Sequence, residues 1–506
     1  MAGCGGFAAN VRTAYILCMS QPPSPSDKAF FSALSEVVFG NPFTTERTTL
    51  IRRLAPNAPS DITRDREALA RVVAAKLQSF SGAGLSRLNP EHRRLIEPAL
   101  LYVAYHRYVP QLDAHIERQA KQGGEPLAVP FGEDAVRELV QSGFSEERAG
   151  RFFGFFFQLR RAFYFIHQSL AGASASMERF RQALWNNMFT HSMRAYEAAL
   201  WNRMEDFSTL LLGETGTGKG SAAAAIGRSE FIPYLPKERR FAANFAESFI
   251  AINLSQFPET LIESELFGHR KGAFTGAIDH HQGVFERCSA HGALFLDEIG
   301  EVAVPVQIKL LQVLQERTFT PLGGREKKRF SGRVIAATNR PLAELRHAGR
   351  FREDFYYRLC SDVIHVPTLR ERLQESASEL EDLVRLLLAR TAGEAGSELI
   401  GYVLEALARD VPRAYAWPGN VRELEQAVRR ILLTGSYKPD LGPAAVLDGE
   451  ERLVAQLREG NLSADELLAG YSAMLYQRLG SYAAVAERTG LDPRTSRKYV
   501  LSAKSG

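Results

Sequence analysis

Thr209-Leu210-Leu211-Leu212-Gly213-Glu214-Thr215-Gly216-Thr217-Gly218-Lys219 sets a short apolar run directly before a glycine-rich loop, and the Ala-rich run Ser221–Ile226 follows. Strand, loop and helix in that order make a cradle for a nucleotide triphosphate. The glycines let backbone N–H groups turn inward around the phosphates. The helix N-terminus adds partial positive charge, and Lys219 reaches the β- and γ-phosphates. A Ser or Thr ordinarily follows this lysine and sets its hydroxyl on Mg²⁺. Gly220 stands there instead, and Ser221 comes one position late. The usual direct ligand for the ion is therefore missing from its place.

Downstream, short apolar runs alternate with helical patterns: Phe249–Ile252, Leu294–Leu296, Val334–Ala337 and Val363–Val366. With Thr209–Leu212 they predict a parallel sheet with helices on both faces. Leu294-Phe295-Leu296 ends in Asp297-Glu298, two carboxylates at the C-terminal end of a buried strand, where open α/β sheets bind ligands. Asp297 suits Mg²⁺ held through water, and Glu298 suits activation of an attacking water. A lone acidic pair after a strand is more often a solvated strand end. The Lys219 loop upstream favours the catalytic reading. Residues 375–435 turn helical again around Trp417-Pro418-Gly419, and Gly435–Gly449 has the Gly and Pro content of a linker.

Glu263-Ser264-Glu265-Leu266-Phe267-Gly268-His269, followed by Gly272-Ala273-Phe274-Thr275-Gly276-Ala277, resembles the signature of bacterial enhancer-binding proteins, the NtrC-type AAA+ activators of sigma-54 RNA polymerase. The resemblance runs from about residue 175 to 435. It implies ATP and Mg²⁺ in the loop Gly213–Ser221, a homo-oligomeric ring, expected to be a hexamer, and sigma-54, RNA polymerase and enhancer DNA as partners. It also implies roles residue by residue. Gly272 to Ala277 touch sigma-54, with Phe274 and Thr275 at the tip. Asn253 switches the catalytic Glu298 between states, and Thr338-Asn339 reads the γ-phosphate. Arg352 and Arg358 match the arginine fingers, and Arg422 matches the second sensor on the helical lid. The family usually has Glu after the loop lysine, so Gly220 departs from that pattern too. Gly227–Ser248 is longer than the family norm.

Residue chemistry offers plainer readings of the same positions. From spacing alone, Phe274 fits a buried turn aromatic better than an exposed one, although its Gly and Ala neighbours cannot build a local core around it. Arg352 and Arg358 would ordinarily be a salt-bridged helix face. A trans arginine is worth roughly 10³–10⁵ in rate and requires an oligomer, and a closed ring satisfies every site. Asn339 and Asn253 equally fit turn caps.

At the C-terminus, Asp465–Leu479 puts Leu468, Tyr471, Leu475 and Leu479 on one helix face, and Ser481–Thr489 forms a second helix. Leu491-Asp492-Pro493 makes the turn, with Asp492 as N-cap, and Arg494–Leu501 is a third helix. This is helix-turn-helix geometry, similar to the Fis-type DNA-binding domain common in the family. From Arg478 to Lys504, six basic residues face two acidic ones. Arg494, Thr495, Ser496, Arg497 and Lys498 are the candidate DNA contacts, with Arg497 and Lys498 assigned to phosphate. The plainer alternative is a three-helix docking domain.

Residues 1–170 read as mostly helical and lack the alternating strands of the phosphorylatable receiver domain that opens many relatives. The Phe-rich stretch 152–165 fits a helical core or a surface docked on the ATPase, and a small-molecule pocket is a further option. Across 506 residues, 62 Lys and Arg against 58 Asp and Glu leave a net charge of +4. That is too mild for a nucleic-acid coat or a membrane-surface protein. Cys4, Cys18, Cys288 and Cys360 form no C-x-x-C pair, so a disulfide scaffold or cysteine zinc site is not expected. No signal peptide and no apolar run of membrane-spanning length is read, so the expectation is a cytoplasmic protein without a membrane partner.

The expected protein is multidomain. Residues 1–170 form a mainly α regulatory domain, and 171–370 an α/β AAA+ P-loop subdomain with a parallel sheet. Residues 371–437 form a helical lid, 438–455 a linker, and 456–506 an all-α helix-turn-helix. The expected function is ATP-driven activation of sigma-54 transcription. The alternative, raised by Gly220, is an ATP-binding, DNA-binding regulator with weak or no hydrolysis.

Overall fold

The computed structural model describes residues 23–56, 62–78, 85, 88–412, 415–439, 453, 457 and 462–502. Cys4, Cys18 and most of the expected linker lie outside them. The chain divides into two units, residues 1–408 with 412–435, and 409–411 with 436–506.

Among the described residues, the first unit opens with eight α-helices: α1 (Pro25–Phe39), α2 (Thr45–Leu54), α3 (Ile62–Gln78), α4 (Pro90–Gln122), α5 (Gly132–Gln141), α6 (Glu146–Ser169), α7 (Ala175–Phe189) and the short α8 (Met193–Ala195). Their starts follow capping chemistry. Ser24, Thr44, Asn89, Ser145 and Ser174 each accept a backbone N–H three residues on, and Pro25 and Pro90 open α1 and α4. Among the described residues, no strand precedes Thr209.

The following α/β part contains β1 (Thr209–Leu212), α9 (Lys219–Gly227), β2 (Tyr234–Leu235), β3 (Arg240–Phe241), β4 (Phe249–Asn253), α10 (Glu259–Phe267), α11 (Val284–Arg287), β5 (Ala293–Asp297), α12 (Val304–Glu316), β6 (Thr318–Phe319), β7 (Lys328–Arg329), β8 (Arg333–Thr338), α13 (Leu342–His347), α14 (Glu353–Leu359) and β9 (Asp362–His365). Five strands make one sheet in the order β4-β5-β8-β1-β9, and every pairing is parallel. All five coincide with the apolar runs, within a residue or two at each end. The lid follows as α15 (Leu369–Glu375), α16 (Glu379–Ala392), α17 (Ile400–Asp410) and α18 (Asn420–Thr434).

Strand periodicity sorts the sheet residues into two cores. Leu210, Leu294, Leu296, Val334 and Ala336 pack with α10, α12 and α14. Leu211, Phe295, Ile335 and Ala337 join the core of the N-terminal helices. The N-terminal helices therefore share a hydrophobic core with one face of the sheet.

The long segment between α9 and β4 is what joins them. On α6, Phe157 stacks on Phe241 at 3.8 Å between centroids, and Phe153 lies parallel to the same ring at 5.6 Å. Arg161, fully buried, donates to the carbonyls of Arg228 and Glu230 at 2.6 and 2.7 Å. Burial brings its pKa down to about 9. The other face of α6 carries Phe152, Phe155, Phe156, Leu159, Arg160 and Phe163, at helical spacing, into a cavity of the N-terminal helices.

Beneath the sheet, buried Arg333 pairs with Glu230 at 3.1 Å and donates to Phe207, Asn187 and Thr209. This polar network ties α7 and the 228–248 segment to the N-terminal ends of β1 and β8. A buried guanidinium needs such partners on every side.

In the second unit, helices span Ala464–Leu479, Tyr482–Thr489 and Pro493–Ser502. Leu475, Val485 and Val500 form their core. Tyr471 and Leu479, expected on the buried face, are exposed. The inward face instead carries Ser472 and Leu475. Asp492 caps the third helix, accepting the N–H of Arg494 at 2.9 Å and of Thr495 at 3.1 Å.

Candidate active site

The phosphate loop spans the gap between β1 and α9 at the C-terminal edge of the sheet. Gly216 and Gly218 have φ of 80° and 106°, which let the chain fold back so that α9 begins at Lys219. Gly216 also admits the lid. A Cβ there would lie 2.1 Å from the Gly419 carbonyl oxygen and 3.0 Å from the Arg422 Cβ. Gly213 and Glu214 supply carbonyl oxygens that take hydrogen bonds from the Lys219 ammonium at 2.8 and 3.1 Å. Thr217 donates its hydroxyl to the Glu214 carbonyl at 2.8 Å. Burial lowers the Lys219 pKa, opposed by Glu298 and Asp297.

Those two carboxylates end β5. Glu298 adopts a left-handed conformation, φ 56°. Such strain in a non-glycine residue is tolerated where function demands it. Its Oε2 is sealed from solvent without a hydrogen-bond partner. Burial raises the Glu298 pKa, with the Asp297 charge adding to the effect. Half-buried and with one oxygen unpartnered, this carboxyl is poised to accept a proton.

Asn339, after β8, donates to the Thr215 hydroxyl at 2.9 Å and so reaches the phosphate loop. Thr338, its neighbour in the sequence reading, is a correction. It is fully buried, and its hydroxyl accepts the Arg340 N–H at 3.1 Å, so its side chain is not open to a ligand. Asn253 serves as the cap its residue type allows, accepting from the Ser255 N–H at 3.0 Å and hydroxyl at 2.7 Å. Gly220 has open space where a side chain would project, so packing does not require glycine there. Ser221 is half-buried beside it.

The lid closes over this loop through Arg370 and Asn420, which sequence reading missed, and through Arg422, which it named. Arg370 forms a two-pronged pair with Glu214 at 3.0 and 2.6 Å. Asn420, buried with φ 52°, donates to Glu214 and to the Thr215 carbonyl, both at 3.1 Å, while its oxygen accepts the Leu369 N–H. Arg422 contributes its backbone N–H to the Gly216 carbonyl at 3.3 Å. The signal was present in Trp417-Pro418-Gly419-Asn420, but only the chain path shows which loop it meets.

Arg352 and Arg358 occupy different settings. Arg352, the residue just before α14, is half-exposed, and among the described residues its side chain pairs with Asp354 alone, at 2.7 Å. Arg358 donates twice to the Leu314 carbonyl, at 3.0 and 2.7 Å, capping α12 within the same subunit.

Gly272–Ala277 forms a tight turn, closed by Gly272 N–H to Ala277 carbonyl at 2.8 Å and Ala277 N–H to Phe274 carbonyl at 3.0 Å. Thr275 stands at its tip between Phe274 and Gly276, and Ala273 lies against Gly323. Phe274 is 38% and Ile278 74% exposed. The buried-aromatic reading of this turn therefore fails.

Of the residues assigned to DNA, Arg494, Arg497 and Lys498 are exposed and Thr495 is half-exposed. Ser496 is a correction. Helical spacing turns it inward, where it is fully buried, so it cannot meet a base. No group of three or more His, Cys, Asp and Glu side chains suited to a metal occurs among the described residues. No helix among them is long and apolar enough to cross a membrane.

The family described as "Sigma-54 interaction domain" matches residues 186–365, and the one described as "AAA+ ATPase lid domain" matches 370–440. The chain is 40% identical to the Nif-specific regulatory protein of Azotobacter vinelandii over 294 residues, covering 57% of this chain and 52% of that protein. It is 38% identical to the DNA-binding transcriptional regulator NtrC of Rhizobium meliloti over 283 residues, 56% and 51% of the two chains. It thus spans about half the length of these two relatives. The regulatory protein AtoC of Escherichia coli is 32% identical over 416 residues, 80% of each chain. With a sigma-54 interaction domain, an AAA+ lid and this extended match, the chain belongs to the family of sigma-54-interacting AAA+ transcriptional regulators.

Proposed function

We propose that the protein activates sigma-54 transcription by hydrolysing ATP in a homo-oligomeric ring, expected to be a hexamer, while its C-terminal unit holds enhancer DNA. One observation carries the reading. A strained, half-buried Glu298, with one carboxyl oxygen sealed from solvent and unpartnered, stands in the same site as the Lys219 ammonium, under a lid that touches the phosphate loop.

ATP is the substrate. The loop N–H groups and Lys219 hold its phosphates, and Asn339 senses the terminal one. Water attacks the γ-phosphorus, Glu298 takes the water proton, and the bond to the ADP oxygen breaks, giving ADP and phosphate. Asp297 suits Mg²⁺ held through water, since Gly220 offers no hydroxyl; the ion, when bound, neutralises phosphate charge. Arg352 and Arg358 are the candidate fingers toward a neighbouring subunit's γ-phosphate, and such an arrangement requires an oligomer. Asn253 is the candidate switch for Glu298, and Arg422 the candidate second sensor.

The exposed Phe274 turn is the surface offered to sigma-54 within RNA polymerase. An exposed ring on a glycine-flanked turn supports a partner contact. Exposed Arg494, Arg497 and Lys498 are the candidate DNA contacts of the third C-terminal helix. The second reading is an ATP-binding, DNA-binding regulator with weak or no hydrolysis. It is favoured by Gly220 alone. Steady-state ATPase assays separate the two: assembly and ATP binding without turnover would support the second and contradict the first.

A further inference from the structure

A cavity of about 270 Å³ among α1, α2, α3, α4, α6 and α7 takes no part in the ATPase site. Its walls are aromatic, with Tyr102, Tyr105, Phe156, Phe163 and Trp185, and Arg47, Arg66 and Arg160 also line it. Arg160 is neutralised by Asp113, which takes two hydrogen bonds, the second at 2.7 Å. Glu197 is taken by Arg151 at 3.1 Å, and Glu67, the third carboxylate of the lining, is exposed to water.

Arg47 and Arg66 are left without a carboxylate among the described residues. Arg47 uses only its Nε, on the Val37 carbonyl at 2.7 Å. Arg66 lies over the Phe163 ring at 4.6 Å and has a single long contact, 3.5 Å, to the Pro42 carbonyl. Its Nε is sealed from solvent with no hydrogen-bond partner. Burial, with Arg47 adding to the effect, brings the Arg66 pKa down to about 9. His106, between Tyr102 and Tyr105, is held well below its usual range by burial and by these arginines, so its ring is neutral.

Two half-buried arginines lining an aromatic-walled cavity, with no carboxylate paired to them among the described residues, make an incomplete site, because partly desolvated charge is costly unless paired. The planar fork of arginine matches a carboxylate, and aromatic walls call for a carbon-rich body. We propose that this cavity binds a small aromatic carboxylate, its ring among Tyr102, Phe156 and Trp185 and its carboxylate on Arg47 and Arg66. The site shares α6 with the contact to the ATPase core, one helix face away. It goes beyond the ATPase reading and is tested without nucleotide.

The test is calorimetric titration of the full chain with phenylacetate, indole-3-acetate and naphthalene-1-acetate, each against its neutral amide, with inorganic phosphate as a further probe. At least one acid binds saturably at one site per chain, and its amide binds about ten-fold or more weaker. Arg66→Gln weakens that acid by about ten-fold or more. Val109→Phe fills the cavity while keeping both arginines, and gives the same loss with a thermal midpoint within about 2 °C of the parent. The proposal is overturned if no acid binds, if acid and amide bind alike, if phosphate binds as well as the acids, or if both variants retain full affinity.

Discussion

Arg370 of the lid and Glu214 of the phosphate loop face each other through two hydrogen bonds of 3.0 and 2.6 Å. The Arg370 guanidinium, followed by the Asn420 amide, holds the Glu214 carboxyl below its usual range, so Glu214 stays negative at neutral pH. Without Arg370 that charge stands uncompensated beside the site for a triphosphate. Arg370→Ala should weaken ATP binding about five- to ten-fold. The pair is half-exposed and contributes little to stability, so the thermal midpoint should move by less than about 2 °C. Fluorescent-nucleotide titration checks this. The double variant Glu214→Gln/Arg370→Ala should recover most of the affinity, and no recovery would show that Arg370 acts otherwise.

Glu298 gives a prediction of opposite sign for activity and stability. Its pKa is raised in the folded chain, so the unfolded carboxyl ionises more readily, and stability falls as pH rises from the ordinary glutamate value through the folded one. Glu298→Gln removes that penalty. Its thermal midpoint at pH 7 should equal or exceed the parent's, while ATP turnover falls by about 100-fold or more. The acid limb of the parent's turnover profile should lie above the ordinary glutamate range. A glutamine variant that loses stability at pH 7 would contradict the account of a partly desolvated carboxyl.

The two candidate fingers should separate in stability. Arg358 caps α12 through the Leu314 carbonyl, so Arg358→Ala should cost about 1–2 kcal/mol in denaturant unfolding as well as turnover. Arg352 holds only Asp354, so Arg352→Ala should unfold like the parent yet lose most turnover. Equal destabilisation of both would contradict this division.

The contact between α6 and the segment 228–248 combines the Arg161 hydrogen bonds with ring packing. Phe157 is 1% exposed and stacks on Phe241 at 3.8 Å. Phe157→Ala should cost about 3–5 kcal/mol in denaturant unfolding. A loss under about 1 kcal/mol would mean that the N-terminal helices do not depend on this contact.

The sheet could be read from the sequence because each strand is a short apolar run with alternate faces buried, and a run such as Leu294–Leu296 carries that pattern locally. Lys219 and Glu298 were legible for a similar local reason: Lys219 opens the helix after a glycine-rich loop, and Glu298 follows directly on a strand end, each defined by its own neighbours. Arg370 and Asn420 were not, because their partners lie more than 150 residues away and no periodicity records that pairing. Arg161 and Arg333 carry no local signal of burial. Their burial depends on carbonyls and carboxylates supplied by distant segments. Ser496 failed for a local reason: helical spacing turns one residue in three or four toward the core, and the basic run around it hid that period.

The most direct measurement is promoter opening on a supercoiled template carrying sigma-54 RNA polymerase, followed by permanganate reactivity. With ATP, the protein should open the promoter. A non-hydrolysable analogue should leave it closed, and Thr275→Ala should hydrolyse ATP without opening it. Robust ATP hydrolysis by the parent chain with the promoter still closed, or equal opening with the analogue, would contradict the account.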